Sequence, residues 1–424
     1  MSRRVAIAGV GLAGRNGKAD GLSPYALTAE SSRMALSEAG LSPQDVDGFG
    51  STGLGTLQPV DVAEYLGLRP RWVDSTAVGG SSWEIMAAHA ADAIAQGRAD
   101  VILLTYGSTA RSDLRAGLRT ANLDWGSRGP QQWEAPHGIT LISKYAMAAR
   151  RHMHEYGTTL EQLAEVAVSA RYNAGFNPDA QAREPITIDD VLSSRMIADP
   201  FSALQCCLRS DGGAAAVLVA EDRVADLPVA PVWILGAGEH VSHVSLGQWD
   251  DFTTGPAAVL VAEDRVADLP SQPVWVLGSG EHVSHVSLGQ WEDFTVGPAA
   301  VSGELAFARA GVTPADIDVC QLYDAFTYML LITLEDLGFC AKGEGGAFVE
   351  DAKLRLGGSL PTNTDGGGLS SCHPGQRGLF LIVEAVRQLR GEASGRQVPD
   401  AHLACVSGTG GWFCSSGTMI LGTD

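Results

Sequence analysis

The sequence predicts an α/β protein built from two diverged copies of one unit. Three observations lead there. Short apolar runs, such as 5–10 and 101–104, alternate with stretches of helical period along the 424 residues. That is the pattern of buried strands covered by helices. The order helix, glycine, capped turn, strand occurs twice, as MALSEAGLSPQDVDGF near residue 40 and LAFARAGVTPADIDVC near residue 311. A second pair, AAHAADAIAQGRADVILLTYG and FLIVEAVRQLRGEASGRQVPDAHLACVSGTGG, repeats helix, polar turn and buried strand. Two such copies are expected to stack as two sheets with helices between and outside. Their equivalent loops would meet at a shared pseudo-two-fold centre.

The elements follow in order. Residues 5–10 read as a first buried strand. Basic residues precede it, but a long apolar core and a small-residue cleavage site are missing, so it does not read as a leader. The glycines of GVGLAGRNG are too irregular for a dinucleotide fingerprint, and no helix follows at once. Ser23 as N-cap and Pro24 as first helical residue start a helix that runs to about Gly40. Ser42-Pro43-Gln44-Asp45 turns the chain into the strand VDGFGST. Residues 60–66 form a short helix and RWVDST another strand. Gly79-Gly80-Ser81-Ser82 then opens a long apolar helix. Residues 109–200 are rich in Arg, Trp, Asn and His and carry two long helical patterns, LISKYAMAARRHMHEYG and TLEQLAEVAVSARYNAG. They read as a helical excursion that either covers a substrate entrance or supports the structure. Residues 212–220 return to a buried strand.

Residues 215–256 recur as 257–298 with six of 42 positions changed. A near-perfect tandem copy reads as a recent duplication or an assembly artefact, not a solenoid, which needs more units. One copy is expected to complete the core and the other to protrude or pair at an edge. His240, His243, His282 and His285 fall in the copies, but their spacing alone does not assign a metal.

A net charge of −20 disfavours nucleic acid and anionic membranes. No apolar run reaches the length of a membrane span. Seven cysteines without a CxxC pair argue against a zinc site or a disulfide scaffold and place the chain in a reducing cytoplasm.

The densest polar stretch is 362–378, TNTDGGGLSSCHPGQRG, directly before the apolar run LFLIVEAVRQL. Ser370 or Ser371 is expected to cap the coming helix, with His373 near its first turn. Polar groups held at a helix start can stabilise developing negative charge. Lys342 and Glu344 read equally as residues that bind a substrate phosphate or orient a loop, or as a solvated turn. His89 reads as a core residue, and Trp83 as packing or a pocket wall.

YGS after ADVILL, SDGGAAAVLVA, the LYDAFT run, LEDLGFCAKGEGG and VEAVRQLRGE together resemble the thiolase superfamily. The resemblance is nearest to its sterol-carrier-type thiolase-like proteins and lipid-transfer-protein aldolases, which act on coenzyme A thioesters. It implies duplicated thiolase-like units in α-β-α-β-α layers with a helical loop domain at about 109–200. The halves would be 1–256 and 299–424, with 257–298 as the extra copy. A thiolase needs a cysteine at the position of Gly80, and no cysteine precedes Cys206. A covalent acyl-cysteine at that helix is therefore ruled out. Ser81 and Ser82 read as caps. The asparagine position of the family falls on Tyr323, followed by Asp324. Its HPxG-like turn falls on His373-Pro374-Gly375. Its second cysteine falls on Cys405 or, with another gap, Ser407.

The resemblance thus implies His373, Tyr323, Asp324 and Cys405 as catalytic residues. Gly80, Ser81, Ser82, His137, Cys372, Gly410 and Gly411 would contact substrate. Retro-aldol cleavage of a bulky, steroid side-chain-like β-hydroxyacyl-CoA needs no acyl-enzyme and fits the missing cysteine. Acyl transfer through Cys372 or Cys405, and a non-catalytic acyl-CoA carrier, are the alternatives. No cofactor is implied beyond the coenzyme A of the substrate. A homodimer and a small zinc-and-OB-fold partner protein are implied as partners.

Overall fold

A computed structural model describes residues 3–54, 59–117, 140–241, 293–411 and 413–423. The first half holds β1 (Val5–Ala13), α1 (Pro24–Glu38), β2 (Gly48–Gly50), α2 (Val60–Tyr65), β3 (Trp72–Asp74), α3 (Ser82–Ala95) and β4 (Val101–Ser108). Next come α4 (Ala110–Arg115), α5 (Leu141–Tyr156), α6 (Leu160–Gly175), α7 (Ile188–Ser193) and the hairpin β5 (Met196–Ala198) and β6 (Phe201–Ser202). The chain continues through β7 (Gly212–Ala220), β8 (Val232–Val241), α8 (Ala299–Ala310), β9 (Val319–Leu322), α9 (Thr327–Asp336) and α10 (Gly345–Phe348). It ends with α11 (Gly378–Leu389), β10 (Leu403–Gly410) and β11 (Ser415–Gly422). Among the described residues, no helix is long and apolar enough to cross a membrane.

The internal repeat is real in detail. Ser23 caps α1 by accepting the N–H of Ala26, with Pro24 in the first turn. The turn after α1 is held by Asp45, which accepts the backbone N–H of Ser42 at 2.9 Å. The turn after α8 is held the same way by Asp316 and Thr313, at 2.8 Å. In both halves a glycine pair lets the outer helix sit against its strand. A Cβ on Gly9 or Gly11 of β1 would come within 2.1 Å of Ala35 O or 2.2 Å of Ser31 O of α1. A Cβ on Gly236 or Gly238 of β8 would come within 2.4 Å of Ala306 O or 2.2 Å of Ser302 O of α8.

The strands run in the order β3-β2-β4-β7-β1-β8-β11-β10-β9 as one nine-stranded sheet. The sequence led us to expect two separate stacked sheets. Instead the half-sheets are joined edge to edge, where Ala6 and Ile7 of β1 pair antiparallel with Trp233 and Val232 of β8. The layering still holds. Helix α3 packs on β4 and β7 of one half and on β10 and β11 of the other, and α11 touches β1 and β7 as well as β9 and β10. These two helices form the middle layer. Trp83, Met86 and Ile94 of α3 and Leu379, Leu381 and Val386 of α11 lie in one buried cluster with strand residues from both halves.

The duplicated segment contributes in two pieces. The first copy supplies most of β7 and all of β8. Although β8 falls within residues 1–256, it pairs along its length with β11. Residues 293–298, the tail of the second copy, lead into α8. His137, His243, His282 and His285 lie outside the described residues. Helices α5, α6 and α7 are each capped by a threonine, Thr140, Thr159 and Thr187, whose side chain accepts an N–H three residues on. These helices lie in the chain between β4 and β7.

Candidate functional site

The stretch 362–378 is nailed down before it presents anything. Arg377 is fully buried, and its Nη2 donates to both carboxylate oxygens of Asp365 at 2.7 and 2.6 Å. Asn363 accepts the N–H of Leu322 at 2.8 Å and donates to its carbonyl at 2.9 Å. Asp324 accepts the N–H groups of Gly368 at 2.7 Å and Leu369 at 3.2 Å. From α6, Arg171 donates to the hydroxyl of Ser370 at 2.9 Å. The expected cap therefore fails. Ser370 and Ser371 end a separate wide turn at Gly367–Ser371, and Arg377 occupies the N-cap position of α11. Tyr106 of β4 donates to Pro374 O at 2.7 Å and so pins the 373–377 turn to the first half.

A cavity of about 510 Å3 opens where this loop meets the start of α3. Leu141, Tyr145, Phe326 and Met329 supply apolar wall, so the helical excursion does reach the site through α5. Tyr323, His373 and Gln376 bring polar groups to it. The rings of Tyr323 and His373 meet edge to face, with centroids 5.4 Å apart. The Tyr323 hydroxyl accepts the backbone N–H of Arg377 at 3.3 Å, leaving its own proton to donate. Burial pushes the phenol pKa well above its ordinary value. His373 Nε2 is buried without a hydrogen-bond partner in the protein. Burial, with the Arg377 charge adding to it, lowers the imidazole pKa to about 4. A pKa that low keeps the His373 imidazole neutral near pH 7.

Gly80 lies at the cavity wall, but not as a vacancy awaiting a nucleophile. A Cβ there would sit 2.2 Å from Tyr323 Cε2 and 2.4 Å from Thr409 O. The tyrosine ring fills the space into which a cysteine would project. Ser81 and Ser82 are caught locally, although neither side chain caps the helix as their reading as caps implied. Ser81 Oγ bonds Ser415 Oγ at 2.8 Å, while Ser82 Oγ donates to Gly79 O at 2.7 Å and accepts from Val78 N at 3.0 Å. Neither lines the cavity. Gly411 lines it, and its carbonyl accepts from Tyr145 at 3.2 Å. Gly410 packs behind it, with no room for a side chain between Val78 O and Ser81.

Three other candidate residues turn away. Asp324 is fully buried, and burial raises its carboxyl to about 7 against the pull of Arg377. Its oxygens face the backbone of the 367–369 turn, not the cavity. Cys405 lies mid-strand between Ile420 and Cys320, in the cluster under α8 and α9. Cys372 points toward β7, and burial pushes its thiol up to about 12. At the end of β10 the cavity meets Thr409, four residues beyond Cys405, and the neighbouring Cys414 also lines it. Lys342 is engaged by Asp336 at 2.6 Å and Glu335 at 3.2 Å, which leaves the solvated-turn reading behind. His89 is only half-buried and pairs with Asp74 at 2.7 Å. Trp83 packs on Tyr106.

Two polar groups escaped the sequence reading. Gln376 lines the cavity, with its Oε1 buried and unpartnered. The signal was present, because Gln376 directly follows the His373-Pro374-Gly375 turn. Glu84, one helical turn beyond Gly80, is fully buried with neither oxygen bonded. Three glycines, Gly378, Gly408 and Gly417, make its slot: a Cβ on any of them would come within 2.8 Å of its side chain. Burial raises this carboxyl to about 8. Nothing in its local pattern, SSWEIM, marks it off from an ordinary first-turn glutamate.

With this geometry in hand, comparison with known proteins is decisive. The family described as thiolase C-terminal domain-like matches residues 280–423. The "Steroid side-chain-cleaving aldolase" of Thermomonospora curvata is 34% identical over 428 residues, which cover 99% of this chain and 98% of that protein. This chain belongs to the thiolase superfamily. Within the superfamily, the "17-hydroxy-3-oxo-4-pregnene-20-carboxyl-CoA lyase" of Mycobacterium tuberculosis is 34% identical over 418 residues, covering 97% of each protein. Among solved structures, the "Ltp2-ChsH2(DUF35) aldolase" superposes with a TM-score of 0.81 at 33% identity, over 99% of this chain and 97% of that one.

Proposed function

We infer that this thiolase-superfamily chain is a carbon–carbon lyase that cleaves a bulky β-hydroxyacyl-CoA by a retro-aldol reaction. The observation that carries the reading is the Tyr323 ring in the space of the missing nucleophile at Gly80. Its lyase and aldolase relatives support the same chemistry, and a steroid side-chain-like acyl group suits the apolar wall.

The reaction balances without water or redox partner. The β-hydroxyl loses its proton and becomes a ketone. The Cα–Cβ bond breaks, and its electron pair passes into the thioester as an enolate. As the enolate charge develops, the α-carbon takes up a proton in the same step, giving a shorter acyl-CoA. Tyr323 serves both proton steps, accepting the hydroxyl proton as it gives its own to the α-carbon. A phenol held neutral by burial can do this without ionising. His373, neutral and unpartnered at Nε2, donates to the thioester oxygen as charge builds there. Asp324 and Arg377 act through the loop they hold. Acyl transfer would need a thiolate at the cavity; neither Cys372 nor Cys405 faces it, and the thiol of Cys414, which does line it, donates to Gly410 O at 3.7 Å.

We further place the protein in the cytoplasm, as a homodimer working with a small zinc-and-OB-fold partner. The two-component aldolase of known structure supports the partner. The test is to incubate purified protein, with and without such a partner, with a tertiary β-hydroxyacyl-CoA. A ketone and a shorter acyl-CoA in equal amounts are expected, and His373→Ala should abolish both while Cys405→Ser leaves them. Absence of both products with the partner present would refute the reading.

A further inference from the structure

The thioester enolate needs more than one donor, and the structure offers few. The backbone N–H groups near Gly410 and Gly411, which the resemblance places at the substrate, are one candidate source. Gly411 N instead lies 2.5 Å from where a Cβ of Gly79 would stand, wedged between two turns. The Gly411 carbonyl is taken by Tyr145. Tyr323 is committed to proton transfer. Of the other polar side chains at the cavity, Thr409, Cys414 and Gln376, it is Gln376, three residues beyond His373 on the same turn, that holds a buried polar atom without a partner.

Several features prepare Gln376 for a ligand. Its Oε1 is buried with no partner in the protein, as is His373 Nε2. Two orphaned polar atoms on one cavity wall mark a place where a bound molecule completes the hydrogen bonding. The turn between them is tight and fixed. Gly375 has φ +98°, and the Tyr106 hydroxyl holds Pro374 O. An amide carries donors at one end and an acceptor at the other, and a half-turn of its last bond exchanges them.

We propose that Gln376 is the second donor of the oxyanion site, its side-chain amide and the His373 imidazole both pointing N–H groups at the thioester oxygen. This deepens the lyase reading and rests on it. The one arrangement supplies two donors from a rigid turn, which reorganises little as charge develops.

The test separates donor from acceptor and enolate from cleavage. Gln376→Leu removes the amide, and Gln376→Glu leaves an acceptor that repels an enolate. Gln376→Met, close in shape, replaces the leucine variant if thermal melting shows it disturbs the fold. Each is measured for kcat and KM in cleavage of the β-hydroxyacyl-CoA. Each is also measured for exchange of the α-hydrogens of a short acyl-CoA in D2O, which needs the enolate but no carbon–carbon cleavage. The expected result is a fall of about 10²-fold in kcat and in exchange for both Leu and Glu, with KM within a few-fold. Glu retaining wild-type rates, or Leu changing neither rate, would overturn the proposal. Wild-type exchange that depends on Gln376 without any ketone formed would uphold it and remove the lyase reading instead.

Discussion

The starts of α3 and α11 occupy equivalent places in the two halves, yet they have taken opposite courses. At α3 the junction is emptied. Gly79 and Gly80 carry no side chain, and Ser81 and Ser82 are consumed by local bonds. At α11 the junction is filled with His373, Gln376 and the buried Arg377. The ring of Tyr323 crosses from the second half to press on Gly80. The lesson is that losing a nucleophile did not leave a gap. The space beside Gly80 is filled by a residue of the other half, an arrangement that suits the proposed reaction, which needs proton transfer and charge stabilisation only.

The sharpest way to break this contrast is at the crossing residue. Tyr323→Phe keeps the ring over Gly80 and removes the proton shuttle, so kcat should fall by about 10³-fold with little change in melting temperature. A variant that also unfolds would mean that the hydroxyl's bond to Arg377 N matters more for structure than for chemistry.

Restoring the ancestral-looking residue comes next. Gly80→Cys puts a Cβ 2.2 Å from the Tyr323 ring. It should lower stability by about 1–3 kcal/mol. It should also reduce turnover by about 10²-fold through displacement of the ring. Gain of acyl transfer in this variant would contradict the account.

Behind the junctions lies Glu84. Its folded pKa of about 8 exceeds the ordinary carboxyl value, so the folded state holds a proton that the unfolded chain gives up. Its contribution is fully present below the ordinary carboxyl pKa and is lost as pH rises towards about 8. Glu84→Gln should therefore flatten the fall in melting temperature over that window. Relative to wild type it should gain stability at pH 8 over pH 5, by of order 4 kcal/mol at most. Parallel curves for the two proteins would show that Glu84 finds a partner in solution.

The smallest effect is expected from the duplication. Deleting 242–283 joins Val241 to Ser284, the same Val-Ser step found at 241–242 and 283–284. The deletion spares β8 and the 293–298 approach to α8. Cleavage rate should stay within about twofold, because every residue placed at the cavity lies outside the deleted stretch of sequence, and melting temperature should not fall. A large loss would assign the second copy a role in folding.

Much of this was legible before any coordinates. The twin Ser42–Asp45 and Thr313–Asp316 turns encode their own geometry in four residues, so the repeat could be read directly. His373 stood out in the densest polar stretch of the chain, while Tyr323 was reached through the family resemblance, whose asparagine position falls on it. What stayed hidden depends on packing between distant segments. No local pattern says that β1 and β8 bond edge to edge, since any strand edge can pair. Nor does one say that Asp324 turns to the backbone of residues 368–369, or that Cys405 lies four residues short of the cavity. Side-chain period along a strand gives the face, not how far along it the site begins. Glu84 was hidden for a further reason: its slot is made by three glycines from three elements.

The central claim, that cleavage proceeds without a covalent acyl-enzyme, is tested most directly by intact-protein mass spectrometry of the enzyme quenched during turnover of a β-hydroxyacyl-CoA. The account predicts unmodified protein throughout, while ketone and shorter acyl-CoA accumulate. A transient mass increase equal to an acyl group, mapped to Cys414 or any other cysteine, would contradict it.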